Sequence, residues 1–374
     1  MKAIRFVTAA SIAVLIGGPL AVAHAMTDGE LQSLVDREIK PLLAGNGAGG
    51  AAVAVRVEGR TVFFNYGFAD LAGKRPITSD SLFNLASIRK VFDATLLAQM
   101  VLRGEVSFDD PVAKYVAELS DGGYVRRVTL GQLAAHTSGL LLRTDYPPWP
   151  EWHYTLPDFI RALNAWTPDR GQEPGQQHIY THAGYVLLGL ALERRVGTPI
   201  TELIDRRVLA PLGLTRTAIV DAAARGRAAL APALMHHVVQ GYSEDGALIG
   251  EPGDQQSYFH FPGAGQMFSS ARNLAVVMAA ELGEESPDPL LQQAMQMTQQ
   301  GVFRISADAT QALAWEVSHL GGAPIVDKPG GLDSSSTYIG IVPSKKVGIV
   351  ILMNRGNQHP FEIARSILLP ALAR

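Results

Sequence analysis

The sequence predicts an α+β fold in which both chain ends build one antiparallel sheet, flanked by helices, with a mainly helical domain inserted between them. Three observations predict it. Residues 51–57 and 61–66 are short β-rich runs joined at Glu58-Gly59, a hairpin signature. Residues 338–342 and 347–353 are apolar, β-branched runs around the polar loop Pro343-Ser344-Lys345-Lys346, a second hairpin at the far end. The chain between them carries helical spacing rather than alternation.

The chain opens with Lys2 and Arg5, an apolar run over 6–22 and the small-x-small triplet Ala23-His24-Ala25. This is the pattern of a secretory leader, with cleavage expected after Ala25. Gly17, Gly18 and Pro19 interrupt the run, and it is short against the roughly 20 apolar residues of a spanning helix, so no stable membrane anchor is expected. Cleavage removes 25 of 374 residues and leaves 349; losing Lys2 and Arg5 takes the net charge from −3 to −5. A mildly acidic chain without a basic patch excludes a phosphate-neutralising role, so no nucleic-acid partner is expected. No cysteine is present, which excludes a thiol nucleophile and a thiolate metal site. A chain this long buries a core without disulfides and reads as about two domains: 26–85 with 270–374 as the sheet domain and 86–269 as the helical one.

Leu31, Leu34, Val35, Ile39 and Leu42 recur at helical spacing and place a helix before the first hairpin. Residues 87–102 read as a long helix with Val91, Leu97 and Val101 on one face. Thr129 with Gln132 is a capping box opening a helix through His136. Helices are expected over 183–195 and 199–209, with Gly197 as the stop between them, and a last one near Pro360. The segment 120–150 mixes turns with Trp149, and its place beside a cleft is not fixed by sequence.

Ser87-Ile88-Arg89-Lys90 is the first candidate for chemistry. Three residues apart on a helix, Ser87 and Lys90 share a face. A serine hydroxyl needs a proton acceptor, and a desolvated lysine can supply one. The Ser87 N–H at the helix start is free to donate to an oxyanion. By itself S-x-x-K is expected about once by chance in such a chain, and an exposed lysine near a helix start explains it equally well. The second candidate, Tyr180-Thr181-His182, precedes an apolar helix; a tyrosine flanked by lysines can pass a proton, and a packed tyrosine is the ordinary explanation. The third, Lys328-Pro329-Gly330-Gly331, offers an ammonium for a substrate carboxylate, glycines along which substrate can lie and a Gly331 N–H as second oxyanion donor; an ordinary turn also explains it.

In this order the three resemble the S-x-x-K, Y-x-N and K-T-G elements of serine β-lactamases and penicillin-binding proteins. Flanking residues are similar to the class C type: Phe83-Asn84-Leu85-Ala86, Pro174-Gly175, Gly184-Tyr185, the stretch from Arg304-Ile305 to Trp315-Glu316, and the tail from Tyr338 to Val350. His136-Thr137-Ser138-Gly139-Leu140 recurs in the broader family as a structural element. The resemblance spans essentially the whole mature chain. It implies the β-lactamase/transpeptidase-like fold and a periplasmic monomer acting on a small-molecule β-lactam. It assigns Ser87 as nucleophile, Lys90 as proton acceptor and Tyr180 as proton relay. It gives Lys328 to tyrosine tuning and substrate binding, and the N–H groups of Ser87 and Gly331 to the oxyanion, with Gly330 beside the substrate and no cofactor.

Two residues depart from the family pattern. His182 stands where asparagine is usual, so a titrating imidazole is expected to meet the substrate amide. Pro329 stands where threonine is usual and removes both a hydroxyl and an N–H, tolerated in a sheet only at an edge or bulge. Carboxylate binding then falls to Lys328, Arg355 or Ser334. The histidines raise zinc, through His182 with His178, or through His236, His237 and His359. A zinc site needs three or four converging ligands, adjacent His236 and His237 on a strand would point apart, and no metal is expected. The expected activity is β-lactam hydrolysis. The alternatives are an esterase or D,D-peptidase on the same fold, and a weakly catalytic peptidoglycan-binding or sensor protein.

Overall fold

The computed structural model describes residues 26–374 apart from 46, 120, 143–144, 146–153, 221–229, 254–264, 285–287 and 320–321. The leader and Trp149 lie outside the described residues. The strands run in chain order as β1 Gly50–Val57, β2 Arg60–Asp70, β3 Arg75–Pro76, β4 Phe83–Asn84, β5 Ala218–Ile219, β6 Gly241–Tyr242 and β7 Leu248–Ile249. They continue as β8 Met267–Ser269, β9 Phe303–Arg304, β10 Ala309–Gln311, β11 Glu316–Ser318, β12 Ile325–Leu332, β13 Ser335–Val342 and β14 Val347–Met353.

Nine of them form one sheet in the order β3-β2-β1-β14-β13-β12-β11-β10-β9, every pairing antiparallel. The chain ends meet at its centre, where β1 pairs with β14 from Ala51↔Met353 to Arg56↔Gly348. Both predicted hairpins form. Glu58 and Gly59 take φ of 53° and 73°, the two positive values that a two-residue turn between twisted strands needs.

Residues of β1, β13 and β14 are all buried, because the sheet is covered on both faces. Period two then sorts the side chains. Ala51, Val53, Val55, Tyr338, Ile349 and Ile351 face one cluster, packed against Leu31, Val35 and Ile39 of the helix Asp28–Leu42 and Leu368 and Leu372 of the C-terminal helices. Ala52, Ala54, Ile339, Ile341, Val350 and Leu352 face the other cluster, which continues through Phe92, Leu96 and Trp315 into Leu133, Leu187 and Phe159 of the helical region.

The helices differ from the sequence expectation mainly at their ends. The helix expected from Ser87 begins as a 3-10 turn, Ala86–Ile88, and becomes α-helical at Arg89–Leu102. The capping box of Thr129 and Gln132 is present, but its helix stops at Ala134 and His136 takes φ 55°. Gly197 at φ 76° closes the helix His182–Val196, and 199–209 splits into Ile200–Ile204 and a π-helical turn Asp205–Leu209. Among the described residues no helix is long and apolar enough to cross a membrane.

Candidate active site

The turn that carries Ser87 is fastened on three sides. Leu85 N–H donates to the Met267 carbonyl of β8 at 2.8 Å, and the Thr337 hydroxyl of β13 donates to the Leu85 carbonyl at 3.0 Å. Ala86 N–H bonds the Asn84 side chain at 3.1 Å. Ala86 itself sits at φ 50°, a left-handed conformation that costs an alanine about 1–3 kcal/mol and is found where surrounding structure enforces it. Strand β12 presses on the same turn. A Cβ at Gly330 would stand 2.4 Å from Thr337 Oγ1, 2.5 Å from the Leu85 carbonyl oxygen and 3.2 Å from the Ser87 nitrogen, so only glycine fits. At Gly331 a Cβ would meet nothing within 4 Å: that residue faces the open cleft.

Ser87 Oγ accepts from Tyr180 Oη at 2.6 Å and from Lys90 Nζ at 3.4 Å. Lys90 is fully buried, and burial pulls its pKa from 10.5 down to about 7 against the opposing pull of Asp93. Near neutrality this amine is partly uncharged and can take the serine proton. Arg89, the neighbour inside the motif, forms a wholly buried ion pair with Asp93 at 3.2 Å. Lys90 and Lys328 place their ammonium groups 5.3 and 4.9 Å from the centroid of the Tyr180 ring.

Tyr180 is positioned by the His136 segment. Ile179 N–H donates to the His136 carbonyl at 2.8 Å and Thr181 N–H to His136 Nδ1 at 3.3 Å, while the His136 and Tyr180 rings lie 4.3 Å apart. His136 is buried, and burial, then Lys328 and Lys90, hold its pKa well below 6.5. Thr181 caps the helix that begins at His182 by accepting from Gly184 N–H at 2.8 Å. Asp145 clamps the same helix start, accepting from His182 N–H at 2.5 Å and Ala183 N–H at 3.0 Å, and from Leu142 N–H at 2.8 Å. Burial raises Asp145 to about 6, opposed by these three donors.

His182 lines the cleft, but not as a group titrating near neutrality. Burial first, then Lys90 and Lys328, depress its pKa to about 3, so a neutral imidazole faces substrate. Pro329 lies in β12 opposite Tyr338. On its other side β11 reaches only as far as Glu316, opposite Asp327, so at Pro329 the strand has an open edge, the place where a sheet tolerates proline.

Two expected substrate contacts are corrected. Ser334 sits in the turn between β12 and β13 against Gly241 and lines a separate small cavity with Asn84 and Glu251. Arg355 spends its guanidinium on the Glu244 carbonyl at 2.9 and 2.6 Å and the Ala44 carbonyl at 3.3 Å. Neither lines the cleft, a groove of about 320 Å³ bounded by Ser87, Tyr180, His182, Lys328 and Pro329–Gly331. Glu316, Asn357, His359 and Phe361 line it instead. Asn357 and His359 lie just before the helical segment that begins at Pro360. His236 and His237 follow the helix Pro232–Met235 rather than lying on a strand, and their rings stack at 4.0 Å instead of diverging. Among the described residues no three His, Cys, Asp or Glu side chains are grouped as a metal site requires.

A serine and a buried lysine one helical turn apart, a tyrosine hydroxyl on that serine and a second lysine on the adjoining strand define a serine acyl-transfer hydrolase on the β-lactamase/transpeptidase-like fold. The family model described as Beta-lactamase matches residues 35–372, and the chain belongs to this family. A β-lactamase of Escherichia coli strain K12 is 27% identical over 369 residues, covering 89% of this chain and 91% of that protein. One of Pseudomonas fluorescens is 26% identical, covering 91% and 98%. A class C β-lactamase structure from Rhodobacter sphaeroides superposes with a TM-score of 0.76 at 26% identity, covering 91% of this chain and 99% of that one. A D-alanine carboxypeptidase from Burkholderia cenocepacia does so at 0.77 and 26%, with the same coverage. The chain's similarity is to the class C type.

Proposed function

We propose that the exported chain is a periplasmic, monomeric serine β-lactamase that opens the lactam through an acyl-enzyme on Ser87. The observation that carries this is the 2.6 Å bond from Tyr180 Oη to Ser87 Oγ with Lys90 Nζ 3.4 Å away. Ser87 Oγ attacks the lactam carbonyl as its proton leaves toward Lys90 and Tyr180, and the N–H groups of Ser87 and Gly331 receive the oxyanion. Tyr180 then protonates the departing nitrogen, and the same groups activate water against the ester in the second half-reaction. No step requires a metal, so a chelator should leave activity intact.

Pro329, the neutral His182 and the withdrawal of Ser334 and Arg355 from the cleft favour a second reading, an esterase or D,D-peptidase. One set of assays on the purified mature protein separates them, using a penicillin, a cephalosporin, a carbapenem, a short acyl ester and an acyl-D-alanyl-D-alanine. Catalytic turnover of a lactam is expected, with intact-protein mass spectrometry showing the acyl adduct on wild type and none on Ser87→Ala. Turnover should fall by at least about 10³-fold in that variant, because the groups of such a site fail together. Turnover confined to ester or peptide selects the second reading, and an adduct on Ser87→Ala overturns the nucleophile.

A further inference from the structure

We propose that Arg365, on the C-terminal helical segment and outside the cleft, is a positioning residue that holds the Lys328 ammonium in place through Glu316. The inference rests on the serine-hydrolase reading of the site. Lys328 has a side chain only 2% exposed, with Glu316 Oε1 3.8 Å from its Nζ. The second oxygen of Glu316 takes Arg365 Nη2 at 2.7 Å. Arg365 also binds both oxygens of Asp327, through Nη2 at 2.6 Å and Nε at 2.5 Å, and Asp327 accepts the Tyr338 hydroxyl at 2.7 Å.

Two cations and two carboxylates therefore close into a neutral set around β12. Such a set survives burial only with its geometry held, since each charge left without its partner is penalised. Burial raises the Glu316 carboxyl, but Lys328 and Arg365 outweigh it and hold the group below its usual range. Alternation along β12 puts consecutive residues on opposite faces: Asp327 meets Tyr338 and Arg365 on one side, and Lys328 enters the cleft on the other. Glu316 pairs opposite Asp327 at the start of β11 and is the link between the two faces. The guanidinium fork fixes two carboxylates at once in a way an ammonium does not reproduce. With Glu316 released, Lys328 would lose the contact that keeps it 4.9 Å from the Tyr180 ring.

The test is a double-mutant cycle of Arg365→Met and Glu316→Gln, with Arg365→Lys beside it. Both kcat and KM are measured for a chromogenic cephalosporin and a p-nitrophenyl ester. Rates are counted per active site, by titrating Ser87 with a covalent serine-directed probe, and melting temperatures are recorded. Arg365→Met is expected to lower kcat/KM by about 10-fold, mostly in kcat, yet by less than about 2-fold once Glu316 is already Gln, since residues acting through one another are non-additive. Arg365→Lys should recover part of the loss. Fully multiplicative effects overturn the proposal. So does an Arg365→Met enzyme that melts earlier but keeps its per-site kcat and KM, because a helix anchor alone would do that. If Arg365→Met does not fold, the cycle is run with Arg365→Lys against the same criterion. If only the ester is turned over, the lactamase reading fails and the cycle still decides the role of Arg365.

Discussion

Lys90 and His182 lie in the same site, and burial acts on both in the same direction, with opposite consequences for catalysis. Lys90, brought to about 7, becomes a working proton acceptor, whereas His182, brought to about 3, is removed from titration altogether. Lys90 must be uncharged to accept the serine proton, so kcat/KM should fall as pH drops below about 7, and His182 should not contribute to that limb. Profiles from pH 5 to 9 are expected to show the same inflection in wild type and His182→Asn. The Asn variant should gain activity on cephalosporins relative to esters, as its smaller amide sets donor and acceptor side by side, whereas the neutral imidazole carries them at separate positions of a bulkier ring. Asp145→Asn should move the inflection to lower pH, since the Asp145 charge favours the charged form of Lys90. An inflection that shifts with His182→Asn would assign the limb to the histidine. Ser87, Lys90, Tyr180 and Lys328 were legible because helix spacing and chain order carry them. Ser334 and Arg355 were misread because a turn residue's direction is set by remote partners, here Gly241 and the Glu244 carbonyl, which no local pattern announces.

At the scale of elements, both hairpins and the capping box could be read because their signals are local: Glu58-Gly59 between β-rich runs, a polar loop between β-branched runs, Thr129 with Gln132. The ends of helices could not, since the positive φ at Ala86 and His136 is imposed by β8, β13 and the Tyr180 loop. Glu281, the last residue of the helix Ala271–Glu281, was equally invisible. It is buried, receives the Gln299 amide at 2.5 Å, and burial lifts its carboxyl from 4.5 to about 8. Its folded pKa lies above its unfolded one, so the native protein holds a proton that unfolding releases. The stability this contributes is full below about pH 4.5 and is lost as pH rises through about 8. Glu281→Gln cannot titrate, so it should be close to neutral at pH 4.5 and increasingly stabilising toward pH 8.5. The ceiling is about 5 kcal/mol, the full shift converted at 1.36 kcal/mol per unit. Thermal melts of both proteins at the two pH values check this; an equal difference in Tm at each would remove Glu281 from the pH dependence.

Across the whole molecule, length pointed to about two domains, and one apolar cluster reaches from the sheet into the helical region. The cluster under the inner face of the sheet runs from Ala52 and Ile341 through Trp315 to Leu133, Leu187 and Trp166. The Thr337 hydroxyl of β13, the strand beside the one carrying Lys328, bonds the Leu85 carbonyl in the turn that leads into Ser87. A shared apolar core makes the sheet and the helical region each other's solvent shield, so neither can open without exposing the other's buried surface. Sequence could not show this, because period alone tells which face of a strand or helix is apolar and not which element covers it. The expectation is one cooperative transition. Trp166 lies in the helical region and Trp315 beside the sheet, both buried, and each can be followed as a separate resonance in 5-fluorotryptophan-labelled protein, assigned with Trp166→Phe and Trp315→Phe. In a urea titration the two native resonances should vanish with the same midpoint, which is also the midpoint for loss of helix signal and of activity, as coincident probes require of two-state unfolding. A Trp166 resonance that disappears at lower urea than Trp315 would mean that the helical region unfolds on its own, and that the seam beneath Ser87 is an interface between two domains rather than part of one core.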